Sequence, residues 1–279
     1  MRAIDCRHLD RERVICCWQV GEVLIDPGPS SCLETLLEAL GDERPRALLL
    51  THIHLDHAGA SGTLAARWPD LDVYVHERGA PHMIAPERLL NSARRLYGED
   101  MDRLWGPFEA VPEERLHVLR GGERLRVGDD EFEVAYTPGH ASHHVSYLHG
   151  SGTAFVGDTG GVRITAEGPV IPPTPPPDID IPAWHQSLAR IGDWRPSRLA
   201  YTHFGASEDA VGQLADLGGR LDSWAEMARD RDAAGWEQGV REELAGVSSP
   251  EIFAAYEQAV PFQQSYAGLR RYWDKRDSS

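Results

Sequence analysis

Short apolar runs separated by turn residues dominate the first two thirds of the chain; helical spacing dominates the last third. Residues 13–26 (RVICCWQVGEVLID) hold two apolar runs around Gly21-Glu22 and read as a hairpin, closed by the turn Asp26-Pro27-Gly28-Pro29. Leucines at 33, 36, 37 and 40 share one face of a helix over 31–40, with Gly41 as its stop. The continuous apolar run 46–51 (RALLLT) suits a strand buried on both faces. A helix over 61–68 then ends at Pro69, and a strand follows over 71–76. Residues 80–115 read as an inserted helical excursion with helices near 87–97 and 100–105. Strand character returns over 116–119, 124–127, 131–137, 145–148 and 154–156, with Gly-containing turns between.

Residues 169–182 hold seven prolines in 14 positions. Regular signals resume at once, so this segment is expected to be a stiff ordered loop rather than a linker. Asp180 can cap a helix over 181–191, with Pro182 in its first turn. A last strand is expected over 198–202. After Phe204 the pattern is helical: 208–232, 237–244, 250–258 and 265–275.

Composition narrows the function classes. The 279 residues carry a formal charge of −16. That argues against a nucleic-acid partner, which needs a basic surface, and against docking on an anionic membrane. No run of about 18 apolar residues is present, and the first 20 residues lack the apolar core of a secretory signal. Cys6, Cys16, Cys17 and Cys32 lack paired C-x-x-C spacing and read as buried free thiols of a reducing, cytoplasmic protein.

The segment His52-Ile53-His54-Leu55-Asp56-His57 places three imidazoles and a carboxylate between a buried strand and a helix. Ligand sites of α/β sheets form at such strand ends. An extended backbone can aim His52 and His54 to one side; Asp56 and His57 can aim at a second point as the chain bends. Imidazole and carboxylate donors suit zinc, iron or manganese. Three further strand ends carry His140 (Thr137-Pro138-Gly139-His140), Asp158 (Gly157-Asp158) and His203 (Thr202-His203).

With THIHLDH, TPGHA, GDTGG, YTHFG and the opening LIDPGP together, the sequence over about 13–204 resembles the metallo-β-lactamase superfamily. The resemblance implies an α/β fold, a four-layer αββα sandwich, over residues 1–205, with 206–279 as a helical extension packed on it. It implies two divalent metal ions, zinc first, with iron or manganese also suited. His52, His54 and His140 would hold one; Asp56, His57 and His203 would hold the other; Asp158 would bridge them. A hydroxide between two such ions is a nucleophile at neutral pH, and Asp56 can orient it and pass its proton to the leaving group. His54 stands where flavodiiron-type members usually carry Glu. Asp158 stands where one class of β-lactamases carries Cys.

The THxHxDHxxG start and TPGH turn resemble the glyoxalase II and lactonase side of the family. They imply a hydrolase of small-molecule thioesters, lactones or related esters. Alternatives within the fold are a mononuclear iron persulfide dioxygenase using His52, His140 and Asp158, and a β-lactam hydrolase or phosphodiesterase. The Tyr that quorum-quenching lactonases carry shortly after the bridging Asp is absent here; Thr159 to Arg163 follow instead. Arg163 is a candidate for gripping a substrate carboxylate. His143 is a candidate substrate contact and His144 a candidate proton donor. The late basic residues Arg270, Arg271 and Lys275 resemble the thiol-cofactor anchor of glyoxalase II. His76 is expected to support the site by hydrogen bonding. The proline-rich loop and the 80–115 excursion are expected to wall the pocket, and the exposed helical tail is compatible with a homodimer.

Overall fold

The computed structural model describes residues 1–246 and 249–278. Strands β1 (Arg2–Asp5), β2 (Cys16–Val20), β3 (Val23–Ile25), β4 (Ala47–Leu49), β5 (Asp72–His76) and β6 (Leu116–Leu119) form one sheet in chain order. Strands β7 (Arg124–Val127), β8 (Asp130–Tyr136), β9 (Val145–His149), β10 (Thr153–Phe155), β11 (Arg198–Ala200) and β12 (Ala206–Ser207) form the second, ordered β12-β11-β10-β9-β8-β7. β3 through β6 pair in parallel, as do β10 and β11; the other neighbours are antiparallel.

The helices are α1 (Leu33–Leu40), α2 (Leu55–Ala58), α3 (Ser61–Arg67), α4 (Ala80–Ile84), α5 (Glu87–Tyr97), α6 (Met101–Trp105), α7 (Ile181–Asp193), α8 (Ala210–Asp230), α9 (Ala233–Ala245), α10 (Pro250–Ala259) and α11 (Phe262–Asp277). α1 and α3 pack on the first sheet and α7 on the second, which gives the αββα order; α8 packs on α7, and α9 and α11 pack on α8.

Two apolar layers explain the short, continuously apolar strands. Cys16, Trp18, Val23, Ile25, Ala47 and Leu49 pack across the sheet–sheet interface against Phe132, Val134, Tyr147 and Phe155. The alternate residues Cys17, Leu24, Leu48 and Leu50 pack with the helices, beside Leu36, Leu40 and Leu64. Period-two geometry with both faces buried removes the polar half of the usual alternation. Burying each such Leu or Ile contributes about 1.5–3 kcal/mol. The helix-side layer continues without a break into Trp224, Trp236, Val240 and Leu269 of the C-terminal helices.

Local signals read from sequence hold closely in several places. Helix α1 ends at Leu40, and Gly41 caps it at φ 58°. Asp180 accepts a hydrogen bond from the Ala183 amide and starts α7. α5 and the four C-terminal helices lie where helical spacing placed them. Two strands were not expected. β1 is a four-residue edge strand with two exposed residues, and β12 has only two residues, in a stretch read as the start of the helical region. Such short segments carry too few alternations to register as strands.

All four cysteines are free and buried. Burial raises every thiol, Cys32 to about 11 and the other three further, with neighbouring negative charge adding to the rise. The thiolate is the reactive form. The folded protein is therefore expected to resist iodoacetamide at pH 8 and to take up label at all four positions in denaturant. Rapid labelling of native protein at pH 8 would refute that burial.

Candidate metal centre

Four strand ends converge on one edge of the sandwich. After β4 the chain stays extended through His54 (φ −63°, ψ 153°) and then turns into α2, which carries Asp56 and His57. β8 leads to His140, β10 to a short 3-10 turn bearing Asp158, and β11 to His203. The two sheets are stitched together at this edge. The Val145 amide donates to the Thr51 carbonyl (2.8 Å) and the Cys16 amide to the Thr202 carbonyl (2.7 Å).

Two glycines make the approach possible. Gly139 sits at φ 136°, and a Cβ there would lie 2.4 Å from the Trp184 Cα. Gly157 sits at φ 46°, and a Cβ there would lie 2.6 Å from both His144 Nε2 and Thr51 Oγ1. Side chains rarely adopt these conformations, so both turns require Gly.

The donor atoms fall into two groups, His52/His54/His140/Asp158 and Asp56/His57/His203, each with its atoms within 4.8 Å of one another. In the first, His54 Nδ1 is 2.9 Å from His52 Nε2 and 3.0 Å from His140 Nε2. In the second, His57 Nε2 and His203 Nε2 are 3.2 Å apart, and Asp56 Oδ2 lies 3.8 and 3.4 Å from them. Asp158 faces both. Its Oδ2 is 3.3 Å from His140 Nε2 and 3.9 Å from His52 Nε2; its Oδ1 is 3.2 Å from His57 Nε2 and 3.6 Å from His203 Nε2.

The far side of the rings fixes their tautomers. His140 Nδ1 donates to the Pro173 carbonyl (2.8 Å) and His203 Nδ1 to the Val14 carbonyl (2.5 Å). His57 Nδ1 donates to Asp26 Oδ2 (2.8 Å). His52 Nδ1 lies 3.1 Å from Thr51 Oγ1, whose hydroxyl donates to Asp26 Oδ2 (2.7 Å). Asp26 is wholly buried and also accepts from the Thr51 amide (2.8 Å) and the Thr202 hydroxyl (2.7 Å). It holds both ligand-bearing loops, yet in the sequence it reads only as a turn residue; the LIDPGP stretch was the available signal.

This arrangement suits a bound cation. With Nδ1 protonated, the Nε2 lone pairs of His52 and His140 point at one spot, and those of His57 and His203 at another. In the first group, unprotonated nitrogens about 3 Å apart repel one another without a positive charge between them; in the second, the surrounding carboxylates favour a positive charge on or between the imidazoles. Their spacing matches ligands held at about 2.0–2.2 Å around a tetrahedral ion. Asp158 Oδ1 is buried and accepts no hydrogen bond.

The electrostatics divide between the two groups, with the His52/His54/His140 rings lowered and His57 and His203 raised, against burial, by the carboxylates beside them. Burial, with the neighbouring imidazoles, lowers His52 well below the ordinary value and takes His54 to about 4; burial also lowers His140. These rings are neutral and ligand-ready. For His57 burial works against charge, but Asp158, Asp26 and Asp56 together outweigh it and raise the ring well above its usual value. Burial would raise Asp56 and Asp158, but His57 and its neighbours hold both carboxylates below the usual range.

The other candidates divide. His143 lines the cavity over the donor groups, its ring 5.7 Å from His54 and 6.0 Å from His52, with a buried Nδ1 that has no partner. His144 does not take the proton-donor position expected of it. It is fully buried, with Nδ1 on Thr137 Oγ1 (2.9 Å) and Nε2 accepting from the Thr159 amide (3.3 Å), so both nitrogens are committed to the scaffold. Arg163 also departs from expectation. It is buried away from the cavity, its guanidinium on the carbonyls of Ala206 and Ala166, and its backbone braces the His203 loop. His76 stacks on Tyr136 (4.4 Å) and accepts from the Arg78 amide (3.3 Å), as a support. Arg270 pairs with Asp274 (3.0 Å) and Lys275 donates to the Pro177 carbonyl (3.1 Å); neither they nor Arg271 line the cavity.

The cavity measures about 770 Å³ and opens onto His54, Asp56, His143, Asp158 and His203. Both expected walls are there: the proline loop contributes Pro173, Pro175, Pro176 and Pro177, and the excursion contributes residues from Arg88 to Trp105. α10 and the start of α11 close a third side with Gln258, Val260 and Gln264. The size and apolar walls suit a small organic molecule.

The profile of the metallo-beta-lactamase superfamily matches residues 21–203. The chain belongs to this superfamily. Within it, the chain is 29% identical over 202 residues to the metallo-beta-lactamase fold-containing protein ST1585 of Sulfurisphaera tokodaii, covering 68% of this chain and 71% of that one. The crystal structure of ST1585 superposes with a TM-score of 0.68 at 21% identity, over 96% of this chain and 97% of that chain. A hydroxyacylglutathione hydrolase of Xanthomonas axonopodis pv. citri is 34% identical over 138 residues, 49% of this chain and 41% of that enzyme; the match spans less than half of that relative's length. TTHA1623, solved in a di-iron-bound form, matches at 30% identity and TM-score 0.53, over 69% of this chain and 89% of that one. As a superfamily member, the chain is a metallo-hydrolase by family and carries groups of residues that could hold metal. Among the described residues no helix is long and apolar enough to cross a membrane.

Proposed function

We propose that this chain is a metal-dependent hydrolase that holds two divalent ions and cleaves a small-molecule thioester, lactone or related ester. The observation that carries the reading is Asp158, which directs one oxygen at each group of donors and has no hydrogen bond at Oδ1. His52, His54 and His140 would hold one ion, Asp56, His57 and His203 the other, and Asp158 both. When bound, the pair supplies an acidified water and polarises the substrate carbonyl. Zinc, iron and manganese all suit nitrogen and carboxylate donors.

The chain's own residues do the rest. Asp56 is the donor-group carboxylate with some exposure, 21% of its side chain, and it lines the cavity. It can take a proton from the attacking water at its other oxygen, Oδ1, and release it to the leaving sulfur or oxygen. His143 can hydrogen-bond the substrate from the cavity wall. The buried imidazoles and the proline loop exclude bulk water from the reacting atoms. The di-iron form of TTHA1623 supports two ions, and the hydroxyacylglutathione hydrolase match supports a thioester.

Elemental analysis of protein purified without chelator is expected to give about two metals per chain, with turnover on a panel of thioesters and lactones. One iron per chain, with oxygen uptake on a persulfide, would overturn the hydrolase reading in favour of an oxygenase at His52, His140 and Asp158.

A further inference from the structure

The cavity has a charged rim that the metal chemistry does not use. Arg88 and Arg95 lie seven residues apart on α5, on the face that lines the cavity, about 10 Å from each other along the helix. Both are exposed, and neither guanidinium has an ion pair or hydrogen bond among the described residues. The carboxylates of the cavity wall are committed elsewhere. Asp56 and Asp158 belong to the donor groups, Asp178 accepts from Ser142 Oγ (2.6 Å), and Asp100 pairs with Arg103 (2.9 Å). In a chain of net charge −16, Arg88 and Arg95 face the cavity without an ion pair among the described residues, and Arg78, also on its wall, lies over the Tyr136 ring (5.9 Å).

The wall beside them is apolar, aromatic and fixed. Trp105 stacks on His8 (5.3 Å, 5° between planes), and Tyr97 meets it edge-on at 5.1 Å. His8 is locked by the Leu104 carbonyl at Nε2 (2.8 Å) and by Gln258 Nε2 donating to Nδ1 (3.0 Å). Trp105 Nε1 is buried without an acceptor, a donor still to be satisfied on this wall.

We propose that the substrate is an anionic ester or thioester: its carbonyl lies at the donor groups, its apolar part lies along Trp105 and Leu89, and a carboxylate or phosphate on its far arm is held by Arg88 and Arg95. The proposal rests on the hydrolase reading for the reacting end and on α5 alone for the anionic end. It places recognition on the inserted helix rather than on the basic residues of α11, which do not line this cavity. Arg binds carboxylate and phosphate by charge-assisted, often bidentate bonds.

The test uses zinc-loaded protein and two matched thioesters, S-benzoyl-3-mercaptopropionate and its terminal amide, with S-benzyl-3-mercaptopropionate as an uncleavable ligand followed by tryptophan fluorescence. Wild type is expected to favour the carboxylate about tenfold or more, through KM, with the preference shrinking as salt rises. R88Q/R95Q is expected to abolish that preference and to weaken thioether binding by about tenfold, while R270Q/R271Q retains both. A preference that survives R88Q/R95Q, that falls in R270Q/R271Q, or that wild type never shows overturns the anion site and leaves the hydrolase reading standing. Arginine-dependent thioether binding without turnover of either thioester does the reverse.

Discussion

Asp158→Asn is expected to reduce hydrolysis by on the order of 10³-fold or more and to lower metal content, with the fold retained. The side chain keeps its shape, so the neighbouring strand ends need not move. A carboxamide has one oxygen and one NH2, and the NH2 has no lone pair to offer. Whichever donor group meets the NH2 loses a ligand, because Oδ1 faces His57 and His203 while Oδ2 faces His140 and His52. Elemental analysis with steady-state rates checks the expectation; two metals per chain and near-wild-type turnover would refute the bridging role.

The same variant has a pH signature in metal-free protein. His57 is raised by its carboxylates, so its contribution to stability is fully present below the ordinary histidine value and is lost as pH rises through the raised one. Asp158 is held low by His57 and His140, so its contribution is present above the ordinary aspartate value and is lost as pH falls through the depressed one. Both are complete between about pH 4 and pH 6.5. The Tm gap between wild type and Asp158→Asn should therefore be widest there and narrow above it.

Asp26→Asn is the second large effect, and it acts through another residue. Asp26 Oδ2 accepts from Thr51 Oγ1, Thr202 Oγ1 and His57 Nδ1. With the Asn oxygen kept on the Thr51 amide, an NH2 takes the place of Oδ2. The threonine hydroxyls can turn and accept. His57 can accept at Nδ1 only by moving its proton to Nε2, the atom that faces His203 and Asp158. The Asp56/His57/His203 group is then expected to lose its ion while the other group keeps one, at a cost of about 10–100-fold in metal affinity. Removing the side chain altogether, as in Asp26→Ala, leaves buried donors unpaired and should destabilise by about 3–5 kcal/mol. A metal titration of Asp26→Asn showing two equal sites would refute the tautomer argument, and thermal melts separate it from simple unfolding.

Much of the donor set was legible because each ligand follows an apolar strand in the sequence. His52, His54, Asp56 and His57 lie together, and His140, Asp158 and His203 each end a strand that had its own signal. Asp26 was not legible. An Asp before Pro-Gly looks like any turn residue, and its partners lie 25, 31 and 176 positions away. His144 and Arg163 erred in the opposite direction. Proximity to a ligand suggested chemistry, but the local fold spends His144 on Thr137 and Thr159, and Arg163 on backbone carbonyls. The Arg88 and Arg95 rim was equally hidden, because helical spacing shows that two residues share a face but not what that face meets.

Most element positions could be read from local periodicity and turn chemistry, whereas the sandwich and the candidate donor set were implied by motifs that resemble the metallo-β-lactamase superfamily. Packing settled which nitrogen of His52, His57, His140 and His203 is turned to the donor groups, that Asp158 faces both groups, that Asp26 ties the loops together, and that arginines of α5 rather than the basic residues of α11 line the cavity. Those are contacts between segments far apart in the chain, fixed by how sheets and helices pack rather than by any stretch read alone.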